Sequence, residues 1–207
     1  MSSSETSRAF REAEHSRAVR EMFGGIASRY DLLNHLLSLS IDKGWRRKVA
    51  KDLRPILANA EAAVLDVACG TGDLSLELAS GAKASITGTD FCRPMLEFAK
   101  KKIDAAELTI PLVEADAMDL PFPSESFDAV TIAFGLRNLP NVENGLSELL
   151  RILRPKGKLV VLEFSQPVVP GVREAFNLYF TRVLPRIGGL VSGSRCAYEY
   201  LPDSVRG

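Results

Sequence analysis

The sequence predicts an α/β fold built on a parallel sheet, and three observations carry that reading. Apolar stretches that suit strands alternate with amphipathic stretches that suit helices between residues 62 and 165. Three of the strand candidates are apolar almost throughout, as strands covered on both faces should be. The first of them runs into a glycine turn and then into a helical pattern, "VLDVACGTGDLSLEL" (64–78), the order of a ligand-binding strand–loop–helix unit.

In chain order, the strand candidates are "AAVLDVAC" (62–69), "SITGTD" (85–90), "TIPLVEAD" (109–116), "FDAVTIAFG" (127–135) and "GKLVVLEFS" (157–165). Helical patterns lie between them near 73–80, 94–104 and 141–153. Pro94 suits the first turn of the second helix, and "RPKG", with Pro155 and Gly157, stops the third. Strand–helix alternation implies right-handed crossovers. A helical, arginine-rich stretch precedes this core at 8–57, and another helical stretch follows at 171–190. The expected division is an N-terminal helical region (1–60), an α/β core (61–170) and a helical C-terminal stretch (171–207), all within one structural domain.

Composition narrows the function. A chain of 207 residues, 46% hydrophobic, has the material for one substantial core. Lys+Arg and Asp+Glu both number 26, which gives no reason to expect nucleic acid. Cys69, Cys92 and Cys196 are too scattered for a disulfide framework or a zinc knuckle, and two histidines cannot form a histidine-rich metal site, so no metal is expected. The N-terminus lacks the apolar core of a secretion signal. No apolar run approaches the roughly 20 residues of a membrane span. The expectation is a cytoplasmic protein.

Ligands in such sheets bind beyond the C-terminal ends of the strands. The first strand ends in Asp66-x-Ala68-x-Gly70-Thr71-Gly72, the second in Asp90, the third in Asp116-Ala117 and the fourth in "AFGLRN" (133–138). A dinucleotide fold would place a third glycine where Ser75 stands. The loop instead resembles the first motif of class I S-adenosylmethionine-dependent methyltransferases, which have a Rossmann-like sheet. That resemblance implies S-adenosyl-L-methionine as cofactor. It places Asp66 near the cationic amino-acid end, with Gly70, Thr71 and Gly72 in the loop, Asp90 on the ribose hydroxyls, and Asp116 with the Ala117 backbone at adenine. Taken singly, Asp66 can be a buried structural acid, Asp116 a turn residue, and Asp90 would also serve NAD.

A closer resemblance rests on "FGGIASRYDLLNHLLSLSIDKGWRR" (23–47), "AMDLPFPSESFDAVTIAFGLRN" (117–138), "LVVLEFSQP" (159–167) and "YEYLPDSV" (198–205). These stretches are similar to the ubiquinone/menaquinone biosynthesis C-methyltransferases. The family implies methyl transfer to a ring carbon of a prenylated quinol, with demethylmenaquinol the leading acceptor and the ubiquinone pathway the alternative. It also implies that Arg137 faces the substrate, where its charge favours a phenolate. Asn138 then orients the ring oxygen or a water, and Tyr30 closes the pocket; the alternative is a surface Arg137–carboxylate pair and a Tyr30 packed in the core. Family members often carry serine at position 133; Ala133 leaves a backbone contact there. Trp45 anchors the N-terminal helices or meets a membrane surface, while Arg46, Arg47, Lys48 and Lys51 read as a solvated face. His35 and Cys69 read as packed or surface residues, and Met95 covers adenine or fills core.

The class I sheet normally has seven strands, and nothing after residue 165 reads as strand, so the last two are expected to be missing. An exposed fifth strand is then an association hazard, and a homodimer and a non-catalytic homologue are both open. The prenyl tail is expected on the face Val172, Phe176, Phe180, Val183 and Ile187, beside "LLNHLLSLSI" (32–41); the alternative is that both faces pack on the sheet. That would put the protein in peripheral contact with the inner face of the cytoplasmic membrane.

Overall fold

The computed structural model describes residues 3–27 and 41–164. Helix α1 (Ser3–Ile26) is followed by α2 (Asp42–Asp52) and the single turn α3 (Arg54–Leu57). The α/β core then runs β1 (Ala63–Val67), α4 (Asp73–Ala79), β2 (Ser85–Asp90), α5 (Arg93–Ala105), β3 (Leu112–Glu114) and β4 (Phe127–Ala133). A 3₁₀ turn (Leu136–Asn138), α6 (Val142–Ile152) and β5 (Leu153–Leu162) complete the described chain. Tyr30, His35, Cys196 and the apolar face expected at 171–190 lie outside the described residues.

The five strands form one parallel sheet in the order β3-β2-β1-β4-β5. The chain therefore starts in the middle, works outward to β3, and returns to the other side of β1. A crevice opens where the order reverses, beyond the C-terminal ends of β1 and β4. Successive β1 residues feed opposite faces of the sheet. Val64 packs with Leu74, Leu78, Ile86 and Ile103 on one face, and Leu65 and Val67 pack with Ile132, Leu149 and Ile152 on the other. Burial on both faces explains the unbroken apolar reading of β1.

The helices follow their sequence signals. Pro94 sits in the first turn of α5, and Met95, Leu96, Ala99 and Ile103 form its buried face. Asn141 caps α6 by accepting from the Asn144 N–H at 3.1 Å. Two boundaries differ from expectation. β3 is confined to three residues, inside the expected 109–116. β5 begins at Leu153 rather than Gly157, with Phe127 opposite Leu153 and, after a register shift, Ala129 opposite Lys158. The extra residues form a bulge with Lys156 at φ 68°. Pro155 has no N–H for the ladder and is accommodated in that bulge. A stop signal for the helix thus lies inside the next strand.

Candidate functional site

The glycine turn joins β1 to α4 in positive-φ steps, with Ala68 at 51°, Gly70 at 56° and Gly72 at 83°. Glycine suits Gly72 for a second reason. A Cβ there would lie 3.1 Å from the Ala99 Cβ, so its absence lets the start of α4 approach α5. The turn is fastened to the end of β2: Cys69 N–H donates to the Thr89 carbonyl at 2.9 Å, and Gly70 N–H donates to Asp90 Oδ2 at 2.8 Å. The other oxygen of Asp90 accepts from Cys92 N–H, also at 2.8 Å. Burial drives the Asp90 pKa up to about 6, against the opposing effect of these N–H groups.

Asp66 lies deeper, 1% exposed. Thr131, its register partner on β4, donates to one oxygen at 2.8 Å, and Ser75 of α4 donates to the other at 2.6 Å. Burial again raises the pKa to about 6, opposed by the two hydroxyls. Each buried carboxylate thus ties together separate elements. The Cys69 thiol beside them is pushed well above its usual range by burial, so it is not a ready nucleophile.

Beyond these strand ends lies a partly open cavity whose lining is mostly apolar with a few polar groups, the make-up of a small-molecule site. Gly70 and Asp90 line it at the β1 and β2 ends, with Phe91 and Met95 beside them. Asp116 and Ala117 come in after β3, and Ala133 and Asn138 from the β4 end. Asp116 accepts from the Met118 N–H at 2.9 Å, which fixes its turn. Helix α1 reaches both sides of this cavity. Its Ser16 and Phe23 line the space, the Arg20 guanidinium stands 5.3 Å from the centre of the Phe91 ring, and His15 Nε2 lies 3.2 Å from the Asn138 carbonyl oxygen.

A second, smaller cavity adjoins the first. Ala68, Gly70, Ala133 and Phe134 line both. Asp66, Thr71, Asp73 and Arg46 belong to the smaller one. Arg46 corrects the sequence reading, because it is 7% exposed and not part of a solvated face. Its Nη2 meets Asp42 at 2.6 Å and its Nη1 meets Asp73 at 2.7 Å. Lys102 also pairs with Asp73 and donates to the Thr71 hydroxyl at 3.2 Å. Arg47, Lys48 and Lys51 are exposed, as expected of them.

The β4 and β5 ends are organised differently. Phe134, at φ 57°, donates its N–H to the Leu162 carbonyl at 2.7 Å, and its ring stacks on Phe164 with centroids 4.6 Å apart. Trp45 of α2 packs on both rings, at 6.2 and 5.8 Å, anchoring the N-terminal helices. Arg137 pairs through Nη1 with Glu163 at 2.5 Å, and its guanidinium lies 5.4 Å from the Phe164 ring centre. Arg137 is not among the described residues lining either cavity, whereas Asn138 is. Asp66, Gly70, Thr71, Asp90, Asp116, Ala117, Ala133 and Asn138 thus converge on two joined cavities. Gly72 supports the turn behind them. Among the described residues, no group of three or more His, Cys, Asp or Glu side chains could hold a metal ion.

Known proteins match this chain in sequence and fold. A model of the ubiE/COQ5 methyltransferase family matches residues 11–207. The demethylmenaquinone methyltransferase of Deinococcus radiodurans is 51% identical over 193 residues, spanning 93% of this chain and 79% of that protein. Its counterpart in Thermus thermophilus is 52% identical over 185 residues, spanning 89% of this chain and 83% of that protein. Among solved structures, a Methanococcus maripaludis protein described as a candidate S-adenosyl-L-methionine-dependent methyltransferase superposes with a TM-score of 0.59. It covers 87% of this chain and 81% of its own at 20% identity, which speaks to the fold alone.

Proposed function

Because the chain belongs to the ubiE/COQ5 methyltransferase family, we propose that it transfers a methyl group from S-adenosyl-L-methionine to a ring carbon of a polyprenylated quinol precursor. Demethylmenaquinone, named in its relatives, is the acceptor in its quinol form. The observation that carries this reading is the strand-end cavity with the buried Asp90 carboxylate on its wall.

The residues present fit the cofactor. Each Asp90 oxygen already accepts one backbone N–H, and a carboxylate has about four acceptor sites, so acceptors remain for a ribose diol. Phe91 and Met95 supply apolar surface for a flat ring, with Asp116 and the Ala117 main chain at its polar edge. Gly70 and Ala133 bring small residues to the junction of the two cavities. Asp66 and Thr71, on the smaller cavity, face the amino-acid end, where a carboxylate suits an ammonium.

When bound, the cofactor supplies an electrophilic methyl group. The chain must make the acceptor carbon nucleophilic. A phenolic hydroxyl ionises near pKa 10, so the enzyme has to favour the phenolate at neutral pH. This role is assigned to Arg137, which lines neither cavity but is the chain neighbour of the cavity-lining Asn138, and whose guanidinium hardly deprotonates. Glu163 and Phe164 hold that guanidinium in place. Asn138 lines the larger cavity and orients the ring oxygen or a water. Tyr30 is proposed to close the pocket. The prenyl tail is assigned to the apolar faces at 32–41 and 171–190, with the protein working at a membrane surface. No described helix is long and apolar enough to cross a membrane.

Methyl transfer from isotopically labelled S-adenosyl-L-methionine to reduced demethylmenaquinone tests the proposal. Labelled menaquinol is the expected product. A chain that binds the cofactor but methylates no quinol acceptor would refute it. For the tail, polar substitutions at Phe176 and Phe180 should raise KM for long-tailed quinols more than for tail-less analogues. Equal changes for the two acceptors would remove these residues from tail binding.

A further inference from the structure

The smaller cavity holds an arrangement that the family resemblance did not supply. Arg46 reaches it from α2, outside the α/β core, and is all but buried there. Two carboxylates, Asp42 and Asp73, each take one of its terminal nitrogens. A guanidinium carries five N–H donors in a rigid fork, so these contacts fix its plane and leave donors over. On the same cavity stands Asp66, a carboxylate held by two hydroxyls. Arg46, Asp66 and Asp73 thus line one small space, Asp73 already paired with Arg46 and Lys102, and this space joins the larger cavity along Ala68, Gly70, Ala133 and Phe134.

That pairing is complementary to a zwitterion. A ligand with its nucleoside in the larger cavity can pass between Gly70 and Ala133 with little side chain in the way. An α-amino acid on the far end would then meet an acid for its ammonium and a guanidinium for its carboxylate. We propose that Arg46 is the carboxylate ligand of the cofactor's amino-acid end, and that through it the site selects nucleosides carrying an intact amino acid. The inference rests on the methyltransferase reading and assigns a ligand which that reading left open. A guanidinium–carboxylate pair in a site shielded from water is a strong, directional contact. Arg46 in this role also ties α2 to the presence of the cofactor, through the acids that already hold it.

The test is a binding measurement, independent of turnover. Calorimetry on the full chain compares S-adenosylhomocysteine, which keeps the amino acid, with its decarboxylated analogue and with 5′-methylthioadenosine, which lacks both charges. The wild-type chain should bind S-adenosylhomocysteine about 10- to 100-fold more tightly than the decarboxylated analogue. Arg46→Gln should erase most of that preference and change 5′-methylthioadenosine affinity by no more than about twofold. Arg46→Lys, which keeps the charge and stands in if the glutamine variant does not fold, should lose part of the preference. Equal losses for all three ligands would make Arg46 a brace for α2 and overturn the proposal. So would a wild-type chain indifferent to the carboxylate. A wild-type chain that binds none of the three overturns the methyltransferase reading itself, and this inference with it.

Discussion

The two sides of the crevice are built by different chemistry. On the β1–β2 side, Asp90 is held by the main-chain N–H groups of Gly70 and Cys92, while the deeper Asp66 is held by the Ser75 and Thr131 hydroxyls. On the β4–β5 side, side chains hold one another, with Phe134 stacked on Phe164, Trp45 against both, and Arg137 clasped by Glu163. Main-chain donors cannot be removed by substituting the residues that carry them, proline aside. A cluster of side chains can be dismantled one member at a time.

The largest expected effect sharpens that contrast. Arg137→Ala should lower the rate of methyl transfer by about 10²- to 10³-fold, the scale of a lost transition-state charge stabiliser. Its effect on cofactor affinity, measured by calorimetry, should stay within about threefold. Arg137→Lys should recover only part of the rate, because a point charge does not reproduce the fork that Glu163 holds. Weakened cofactor binding with intact turnover would break the division between the two sides.

On the other side, Asp90→Ala should cost about 2–3 kcal/mol of cofactor binding, from the loss of charged acceptors. Part of any drop in stability comes from Gly70 N–H, which loses its acceptor. Unchanged affinity would remove Asp90 from the site.

A third test addresses the seam between the sides. Gly135 lies against Ala68, and a Cβ on Gly135 would come within 2.6 Å of the Ala68 Cβ. Gly135→Ala should therefore destabilise the fold by about 1–3 kcal/mol through overpacking, read as a lower midpoint in denaturant. A neutral substitution would show that the two strand ends can move apart.

The smallest effect is a pH dependence peculiar to the carboxylate side. Asp66 and Asp90 have folded pKa values of about 6, above their ordinary 3.8. The folded state therefore binds protons more tightly than the unfolded chain. Ionising these groups costs stability in full above about pH 6, and the cost is relieved as pH falls from about 6 towards 4. Ligand binding runs the opposite way, since a diol needs the ionised Asp90. Between pH 7 and pH 5 these two acids should add to the stability of the ligand-free chain, while cofactor affinity falls about tenfold. Thermal shifts recorded with and without S-adenosylhomocysteine measure both trends. A ligand-induced shift that grows on acidification would contradict the ionised role of Asp90.

The acids were legible in the sequence because a carboxylate ending an apolar strand breaks a strong local pattern. Asp66, Asp90 and Asp116 all stand out in this way, and all line the joined cavities. Arg46 was not legible. It sits in a run of basic residues, and only its place in the fold separates it from Arg47 and Lys48. The i,i+4 spacing from Asp42 was the available hint. Helix α1 was equally hidden as a cavity wall. Its residues before Phe23 carry no motif, although the buried Val19 and Ile26 flank Phe23 at steps of four and three. The start of β5 was misread because Pro155 signals a break in any local pattern. The partner strand, distant in sequence, holds the bulge open.

The strand order has a consequence for how this protein is made. Among the described strands, β1 is the first to be synthesised and the central one in the sheet. One of its edges is closed early by β2, whose register partners lie only a short helix away. The other waits for β4, and Asp66 lacks the Thr131 hydroxyl, 65 residues further on, until then. A nascent chain that has released everything up to β3 therefore presents an unpaired, largely apolar strand edge that carries a half-bonded acid. Such an edge is a template for wrong pairing. The acid that prepares the site in the mature protein is, for that interval on the ribosome, an unfinished joint.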